Sequence, residues 1–356
     1  ARHAARIREA VAHAVTEAPA VAAFFDPTAS EPFAVVDVEQ AAGMRRDSIV
    51  LTVGYGKSPH GRVIHQFGAV SSQHGVSLLV EHSAGTAPEE ATTSLPQVLF
   101  WGADLGTASA DELDDLASAV SRQQSSGDLD AAWQASILPA DRDGWAGRPG
   151  LAVSRGGLPV HPRWDRVDCS AAEDGHALAI VADDTRNGMR LTSTIEIQVG
   201  GVVTVEHALT STRRDDDATG GLSVGWLEAT LPTPKAVDHL TTFAGRWTRE
   251  KVPQTTAIPR GSTVRQTRRG RGGHDSPMLY LVSIDTPRDR DGELWGVHLG
   301  WSADVTYRND RLPDSVDVLG AGELLRTGEV TLRGGETYTT PTAYFAWSDA
   351  GLDGLS

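Results

Sequence analysis

The sequence has little cysteine, little lysine and no long apolar run. Cys169 is the only cysteine, which excludes an internal disulfide, an all-cysteine zinc site and a redox pair of thiols. No stretch is apolar for long enough to form a membrane helix, and the start ARHAARIREA is not followed by the apolar core of a signal peptide. We therefore expect a protein of the reducing cytoplasm, with no membrane partner.

Positive charge is also scarce. The chain has 32 Lys and Arg residues against 47 Asp and Glu residues, which gives a formal net charge of -15 and a pI of about 5.2. This balance argues against nucleic acid or anionic lipid as a partner, although a local basic patch is still compatible with it. With 356 residues, 40% of them hydrophobic, the chain can bury the core of one large domain or two medium ones.

Several short motifs of catalysis and binding are absent or incomplete. The string GYGKS at 54–58 would be a phosphate-binding loop only with glycine three positions earlier, where the chain has Leu51. The string GLSVG at 221–225 has the spelling of a nucleophile elbow, but Ser223 leads into a strand-like run and not into a helix. The twelve histidines form no HExxH pair. We expect no metal and no cofactor.

The first 73 residues predict a short α/β fragment. Residues 4–24 carry apolar side chains at three- and four-residue steps, which indicates an amphipathic helix broken near Pro19. Two short β-branched runs follow, PFAVVDVEQ at 32–40 and DSIVLTVGY at 47–55, and each predicts a strand.

From residue 74 to residue 356 the sequence consists mainly of short alternating runs. The clearest hairpin pairs MRLTSTIEIQV with VVTVEHALT across Gly200-Gly201, and it sets Ile195, Ile197 and Val199 against Val203, Val205 and Leu209. Many such strands, bounded by turn residues, predict a mostly β fold, a large antiparallel β-sandwich of the supersandwich type. Only SADELDDLASAV looks helical, with Ser109 as its cap.

The run RRGRGGHDSP at 268–277 combines arginines, glycines and a His-Asp pair, and three interpretations compete for it. A nucleic-acid patch would have aromatic residues between the arginines, and none is present. A catalytic dyad is disfavoured because His274 and Asp275 are adjacent, so an extended chain points them to opposite faces. The ordered edge of a binding site, where arginine forks pair with carboxylates or sugar hydroxyls beside glycine turns, fits best.

Five ordered blocks carry a resemblance to a known family. They are WGADLG at 101–106, FAGRWTRE at 243–250, RRGRGGHDSP at 268–277, GELWGVHLGWS at 292–302 and PTAYFAWSDAGLDGLS at 341–356. Residues from about 75 to 356 thereby resemble the amino-terminal domain of glycoside hydrolase family 36, the bacterial α-galactosidases. The family implies a β-sandwich followed by a (β/α)₈ barrel. One departure is Ala303-Asp304, where the family often has Gly-Asn after the LGWS block.

The resemblance also implies an activity, the hydrolysis of terminal α-galactosides of the melibiose or raffinose type with retention. In the family two aspartates of the barrel perform it, and neither of their sequence blocks is found here, so no catalytic residue is assigned. Nothing in the sequence places two carboxylates in a shared pocket. The implied partners are α-galactoside oligosaccharides, the missing catalytic barrel and, in the full enzyme, further copies of the chain. The residues expected at the substrate rim or the barrel interface are Trp101, Asp104, Trp247, Arg249, Glu250, Arg269, His274 and Asp275.

Residues of about 33–72 are similar to a different family. The block EQAAGMRRD and the string GYGKSPHGRVIHQFG resemble a fragment of a superfamily 1 helicase motor domain, in which the second string is a loop. No Walker motif accompanies them, so ATP hydrolysis is not implied. This resemblance predicts an incomplete helicase-like fragment over residues 1–73 and a sandwich domain over residues 74–356.

Two alternatives to the sandwich domain of an α-galactosidase stay open. A stand-alone carbohydrate-binding module would present an exposed aromatic platform among the nine tryptophans and bind galactose without a barrel. A nucleic-acid-associated fragment would depend on residues 33–72 and on the arginine run, and the acidic balance counts against it.

Overall fold

A computed structural model describes most of the chain, and the helix expected over residues 4–24 lies outside the described residues. The described ranges are 34–36, 51–53, 62–70, 75–83, 94–106, 108–120, 135–172, 177–198, 200–213, 220–273, 279–313 and 315–355. In chain order their strands are β1 Ala34–Val36, β2 Leu51–Val53, β3 Arg62–Val70, β4 Gly75–Ser83, β5 Gln97–Ala103, β6 Leu151–Arg155, β7 Leu158–Val160, β8 Arg166–Ala171, β9 Ala177–Asp184, β10 Met189–Ile197, β11 Val203–Ser211, β12 Leu222–Thr233, β13 His239–Arg246, β14 Arg249–Ala257, β15 Gly261–Gln266, β16 Tyr280–Ser283, β17 Leu294–Leu299, β18 Val305–Arg311, β19 Asp317–Glu323, β20 Val330–Leu332, β21 Thr337–Thr339 and β22 Ala343–Ser348. The α-helix is α1 Ala110–Val120, and 3₁₀ turns occupy Asp141–Asp143 and Gly351–Leu355.

The strands form two large antiparallel sheets and two small ones. The ten-stranded sheet has the order β14-β13-β16-β17-β22-β11-β10-β9-β8, with β21 beside β11. The seven-stranded sheet has the order β15-β18-β19-β12-β6-β7, with β20 beside β12. A three-stranded sheet, β3-β4-β5, and the pair β1-β2 complete the set. The predicted mostly β, antiparallel fold is confirmed.

The two large sheets enclose one apolar core. Side chains on β10 alternate between buried and partly exposed, so that Leu191 and Ile195 point inward. They share one cluster with Leu231 of β12 and Leu319 of β19, which belong to the seven-stranded sheet. This alternation is what period-two patterning produces when one face of a strand is buried.

The predicted Gly-Gly hairpin is confirmed as β10 and β11. Ile195 lies opposite Val205 and Ile197 lies opposite Val203, while Leu209 pairs with Leu191; Val199 lies outside the described residues. Gly200 and Gly201 have φ angles of 91° and 83°, which only glycine adopts without strain.

The three-stranded sheet forms a further layer. One of its faces contributes Phe67 and Leu78 to the main core. The other packs Leu79 against Leu113 of α1. The helix begins with the predicted capping box, because the Glu112 N–H donates to Ser109 Oγ at 3.3 Å and the Ser109 N–H donates to the Glu112 carboxylate at 2.8 Å.

Strand β3 occupies residues that the helicase resemblance assigns to a loop. It pairs with β4 through nine consecutive residues, from Arg62 opposite Ser83 to Val70 opposite Gly75. This pairing crosses the boundary that was predicted near residue 73. The division of the chain into two domains stays a prediction.

Strand β14 forms one end of the ten-stranded sheet. All nine of its residues are exposed, in contrast to its neighbour β13, where Leu240 is buried in the core. A strand that is exposed on both of its faces packs against nothing in the described part of the chain. Within the same ranges, no helix has the length and apolar character needed to cross a bilayer.

Candidate functional site

Trp101, predicted at the substrate rim or the barrel interface, lies in the core. Its side chain is 2% exposed, and its ring packs edge-on against Phe345 with the centroids 5.7 Å apart. Its indole Nε1 donates to the Pro232 carbonyl, and its own carbonyl accepts from Trp295 Nε1 at 3.3 Å. Trp101 therefore joins the three-stranded sheet to both large sheets, and it has no exposed surface to offer a sugar.

Asp104 lies at the exposed end of β5 and organises the turn there. Its Oδ1 accepts from Ser77 Oγ at 3.1 Å and from the Gly106 N–H at 3.0 Å. Its own N–H donates to the Gly75 carbonyl at 2.9 Å. These hydrogen bonds give the Asp104 carboxylate a structural role in the turn after β5.

Trp247, Arg249 and Glu250 lie together at the tip of the β13–β14 hairpin. The Trp247 side chain is 74% exposed, the largest exposure among the exposed large apolar residues. Thr248 beside it has a φ of 65°, and its N–H donates to Glu250 Oε1 at 2.8 Å. This tip presents an aromatic ring beside charged side chains, which is the composition of a contact surface.

The arginine run forms a loop that is held by hydrogen bonds to neighbouring side chains. Arg268 donates to Gln266 Oε1 from Nε at 3.2 Å and from Nη2 at 2.7 Å. Arg265, just before it, donates to Thr242 Oγ1 at 2.9 Å. Arg269 is exposed on the same loop. Arg265 and Arg268 therefore serve internal bonds, and the interpretation of the run as the edge of a binding site stays a prediction.

Asp304, the residue that departs from the family pattern, anchors this loop. One carboxylate oxygen accepts from the Gly270 N–H at 2.6 Å, and the other accepts from Arg326 Nη2 at 2.8 Å. His274 and Asp275 lie outside the described residues, so the His-Asp pair stays a prediction. The described candidates are thus divided between the core, the end of β5, the hairpin tip and the arginine loop.

Ser223 lies within the continuous strand β12. Its Oγ is 3.1 Å from Thr331 Oγ1 of the neighbouring strand β20. No helix follows it, so the prediction that GLSVG is not a nucleophile elbow is confirmed.

Cys169 is a poor nucleophile and a poor metal ligand. Burial raises the pKa of its thiol to about 12, so the thiolate is scarce at neutral pH. Among the residues that the structure describes, no three His, Cys, Asp or Glu side chains converge as metal ligands would. The absence of a metal or cofactor stays a prediction.

A buried charge network was not predicted. Arg308 contacts Glu228 through Nε at 3.0 Å and Asp310 through Nη1, and all three side chains are at most 1% exposed. Arg148 contacts the other oxygen of Glu228 at 2.9 Å. Burial raises the pKa of Glu228, and the two guanidinium groups oppose that shift. Two carboxylates therefore share one arginine in the core, but both are fully buried and form no open pocket.

Exposed aromatic residues lie on, and just after, the paired strands β17 and β22 of the ten-stranded sheet. Trp301 is 44% exposed and Tyr344 is 41% exposed. The exposed His298 ring lies 6.2 Å from the Tyr344 ring at an interplanar angle of 35°. Glu206 accepts from the Oγ1 of Thr342 at 3.2 Å, and Thr342 precedes Tyr344 by two residues. We call Trp301, Tyr344 and His298 the aromatic patch.

Comparison with known proteins finds α-galactosidases among the relatives of this chain. The family model described as the glycosyl hydrolase family 36 N-terminal domain matches residues 94–333. An alpha-galactosidase of Escherichia coli is 32% identical over 260 residues, which is 73% of this chain and 35% of that protein. The chain thus spans about a third of the length of the curated relative.

Solved structures share the fold. The galactosidase domain of the alpha-galactosidase-sucrose kinase AgaSK matches with a TM-score of 0.64 and 15% identity, over 85% of this chain and 43% of that one. The family 36 alpha-galactosidase AgaA of Geobacillus stearothermophilus, in complex with raffinose, matches with a TM-score of 0.62 and 17% identity, over 82% and 41%. At these identities the likeness shows the fold alone. Because the family model covers most of the chain, this protein belongs to the glycosyl hydrolase family 36 N-terminal domain family.

Proposed function

We propose that this chain is the non-catalytic β-sandwich domain of an α-galactosidase. The observation that carries the proposal is the 32% identity to the Escherichia coli enzyme over a stretch that is only 35% of that enzyme. The complete protein would hydrolyse terminal α-galactosides of the melibiose or raffinose type with retention. The chemistry would belong to a catalytic portion outside these residues.

The arrangement of the buried acids supports this division. Retaining hydrolysis requires two carboxylates about 5 Å apart on either side of an accessible sugar bond. Glu228 and Asp310 both contact Arg308, but each is 0% exposed and held by a guanidinium group. Asp317, another buried acid, is held by Lys235 at 2.5 Å. These acids serve the stability of the sandwich.

The hairpin tip and the arginine loop are the surfaces we assign to contacts with the rest of the enzyme. Trp247, Arg249 and Glu250 project from the end of the sheet, and Arg269 projects from a loop that Asp304 holds in place. Both surfaces would face the catalytic portion, the rim of the sugar pocket or another copy of the chain in a cytoplasmic homo-oligomer.

The test is hydrolysis of a chromogenic α-galactoside by the purified chain, beside the same chain extended by the coding sequence that follows it. We expect turnover by the extended protein alone. A β-galactoside serves as the control for specificity. Turnover by the 356 residues themselves would mean that a carboxylate pair lies within them.

A second candidate function, carbohydrate binding by this chain alone, is favoured by the aromatic patch. Flat rings stack on the apolar faces of sugars, and a carboxylate such as Glu206 accepts bonds from sugar hydroxyls. Galactose binding that Trp301→Ala abolishes would support this candidate. The nucleic-acid alternative has less support, since Arg265 and Arg268 are used in internal bonds.

A further inference from the structure

A cleft opens in the seven-stranded sheet where β12 changes partners. On one side β12 pairs with β20 up to Val224 and with β19 from Glu228 onward. On its other side a bulge between Val224 and Trp226 interrupts the register with β6. Bulges redirect side chains and are frequent beside binding sites. The cleft has a volume of about 690 Å³, a size that suits small ligands.

Trp226 and Arg148 form one part of the lining. The guanidinium carbon of Arg148 lies 4.3 Å from the centre of the Trp226 ring, and the Trp226 Nε1 donates to the Pro149 carbonyl at 2.8 Å. Arg148 Nη2 is held by Glu228, while its buried Nε has no hydrogen-bond partner among the described residues. The stack gives the cleft a flat, partly exposed surface made of an indole ring and a guanidinium group.

Glu323 and Gln266 supply polar groups to the same lining. Glu323 is half-buried and accepts from the Tyr338 hydroxyl at 2.7 Å, and burial raises its pKa. Gln266 accepts both bonds from Arg268, which fixes the amide beside the cleft. The arginine run therefore holds a cleft residue in place.

Serine side chains on β6 and β12 contribute hydroxyl groups to the lining of the cleft. Ser154 of β6 and Ser223 of β12 lie opposite each other in register. Arg148 is already paired with Glu228, so the Glu323 carboxylate is the uncompensated formal charge of the lining. A neutral ligand with many hydroxyl groups matches this set of donors and acceptors, whereas an anion meets the Glu323 carboxylate.

We propose that this cleft binds a neutral saccharide, with one sugar ring packed on the Trp226–Arg148 stack and its hydroxyls bonded to Glu323 and Gln266. The site would hold an oligosaccharide on the sandwich. The proposal goes beyond the proposed function because binding here requires no catalytic portion. Failure of the binding test therefore leaves the hydrolysis test unaffected.

The experiment measures raffinose binding to the purified 356-residue chain by saturation-transfer NMR and calorimetry. We expect Trp226→Ala and Gln266→Ala each to weaken binding at least tenfold. Gln266→Ala should leave the thermal unfolding curve unchanged, so that a loss of binding is not a loss of fold. Val252→Ala, an exposed residue of β14 that does not line the cleft, is the control and should bind raffinose as the unaltered chain does.

Three results would overturn the proposal. The first is no binding of raffinose, melibiose or galactose at millimolar concentration by the folded chain. The second is binding that Trp301→Ala removes and the cleft variants do not, which would place the sugar on the aromatic patch. The third is galacturonate or inorganic phosphate binding more tightly than galactose in a manner that Trp226→Ala abolishes, which would make the cleft an anion site.

Discussion

Arg308 and Glu228 form an ion pair with 3.0 Å between Nε and the carboxylate, at a depth where neither side chain is more than 1% exposed. Arg308→Met should lower the free energy of unfolding by about 3–5 kcal/mol, because Glu228 and Asp310 lose their shared partner. Urea unfolding measures the change. The control is Arg288→Ala, which breaks an exposed pair with Asp291 and should cost less than about 1 kcal/mol. Equal losses of unfolding free energy in the two variants would contradict a stabilising role for the buried charge network.

The buried His207 side chain should make the free energy of unfolding depend on pH. It is fully buried, its Nδ1 lies 2.7 Å from Ser193 Oγ, and burial lowers its pKa to about 4. Since the unfolded chain has a histidine pKa near 6.5, it binds the proton more readily than the folded chain between these values. The contribution of neutral His207 to the free energy of unfolding should therefore be fully present above about pH 6.5. It should be reduced by about 3 kcal/mol when the pH has dropped to about 4.

Unfolding by urea across this pH range measures the effect. His207→Gln removes the titrating group and should flatten this part of the profile. A profile with the same slope in the variant would show that other groups produce the acid sensitivity.

The Gly200-Gly201 turn offers a matched pair of substitutions. Gly200→Ala meets no atom within 4 Å, so it should cost only the strain of a φ of 91°, about 1 kcal/mol. Gly201→Ala would set its Cβ 2.5 Å from Val76 Cγ2 and should cost about 1–3 kcal/mol more. Thermal unfolding compares them. Adding Val76→Ala should recover part of the Gly201→Ala loss in a double-mutant cycle, and no recovery would contradict the contact.

Two truncated versions of the chain test whether strand β3 belongs to the sandwich domain. A chain starting at residue 62 retains β3, with Ile64 5% exposed and Phe67 2% exposed. A chain starting at residue 74 loses both and leaves β4 without that neighbour, so its free energy of unfolding should be lower by about 5 kcal/mol or more. Urea unfolding of the two chains decides the point. Equal stability would instead support a boundary near residue 73.

Elements defined by local patterns were predictable. The β10–β11 hairpin follows from alternation on either side of two glycines, and α1 follows from its capping box and apolar spacing. Both depend on residues that are close in the chain, so their signals survive without tertiary context.

Contacts between distant segments were not predictable. Trp101 appears in a matched block, yet its bonds go to Pro232 and Trp295, more than a hundred residues away. Arg308 and Asp310 are two apart on β18, which indicates a shared face, but nothing local shows that Arg148 joins them through Glu228. The cleft likewise depends on β12 exchanging one partner strand for another.

The exposed strand β14 determines how the isolated domain behaves in concentrated solution. A strand at the end of a sheet has one edge on which another chain can add a strand, and natural proteins protect such edges with charged residues and proline. Here Arg249, Glu250 and Lys251 repel identical strands, and Pro253 lacks the N–H that a continuous ladder requires. Replacing these four residues with valine should produce a domain that aggregates through intermolecular β-pairing.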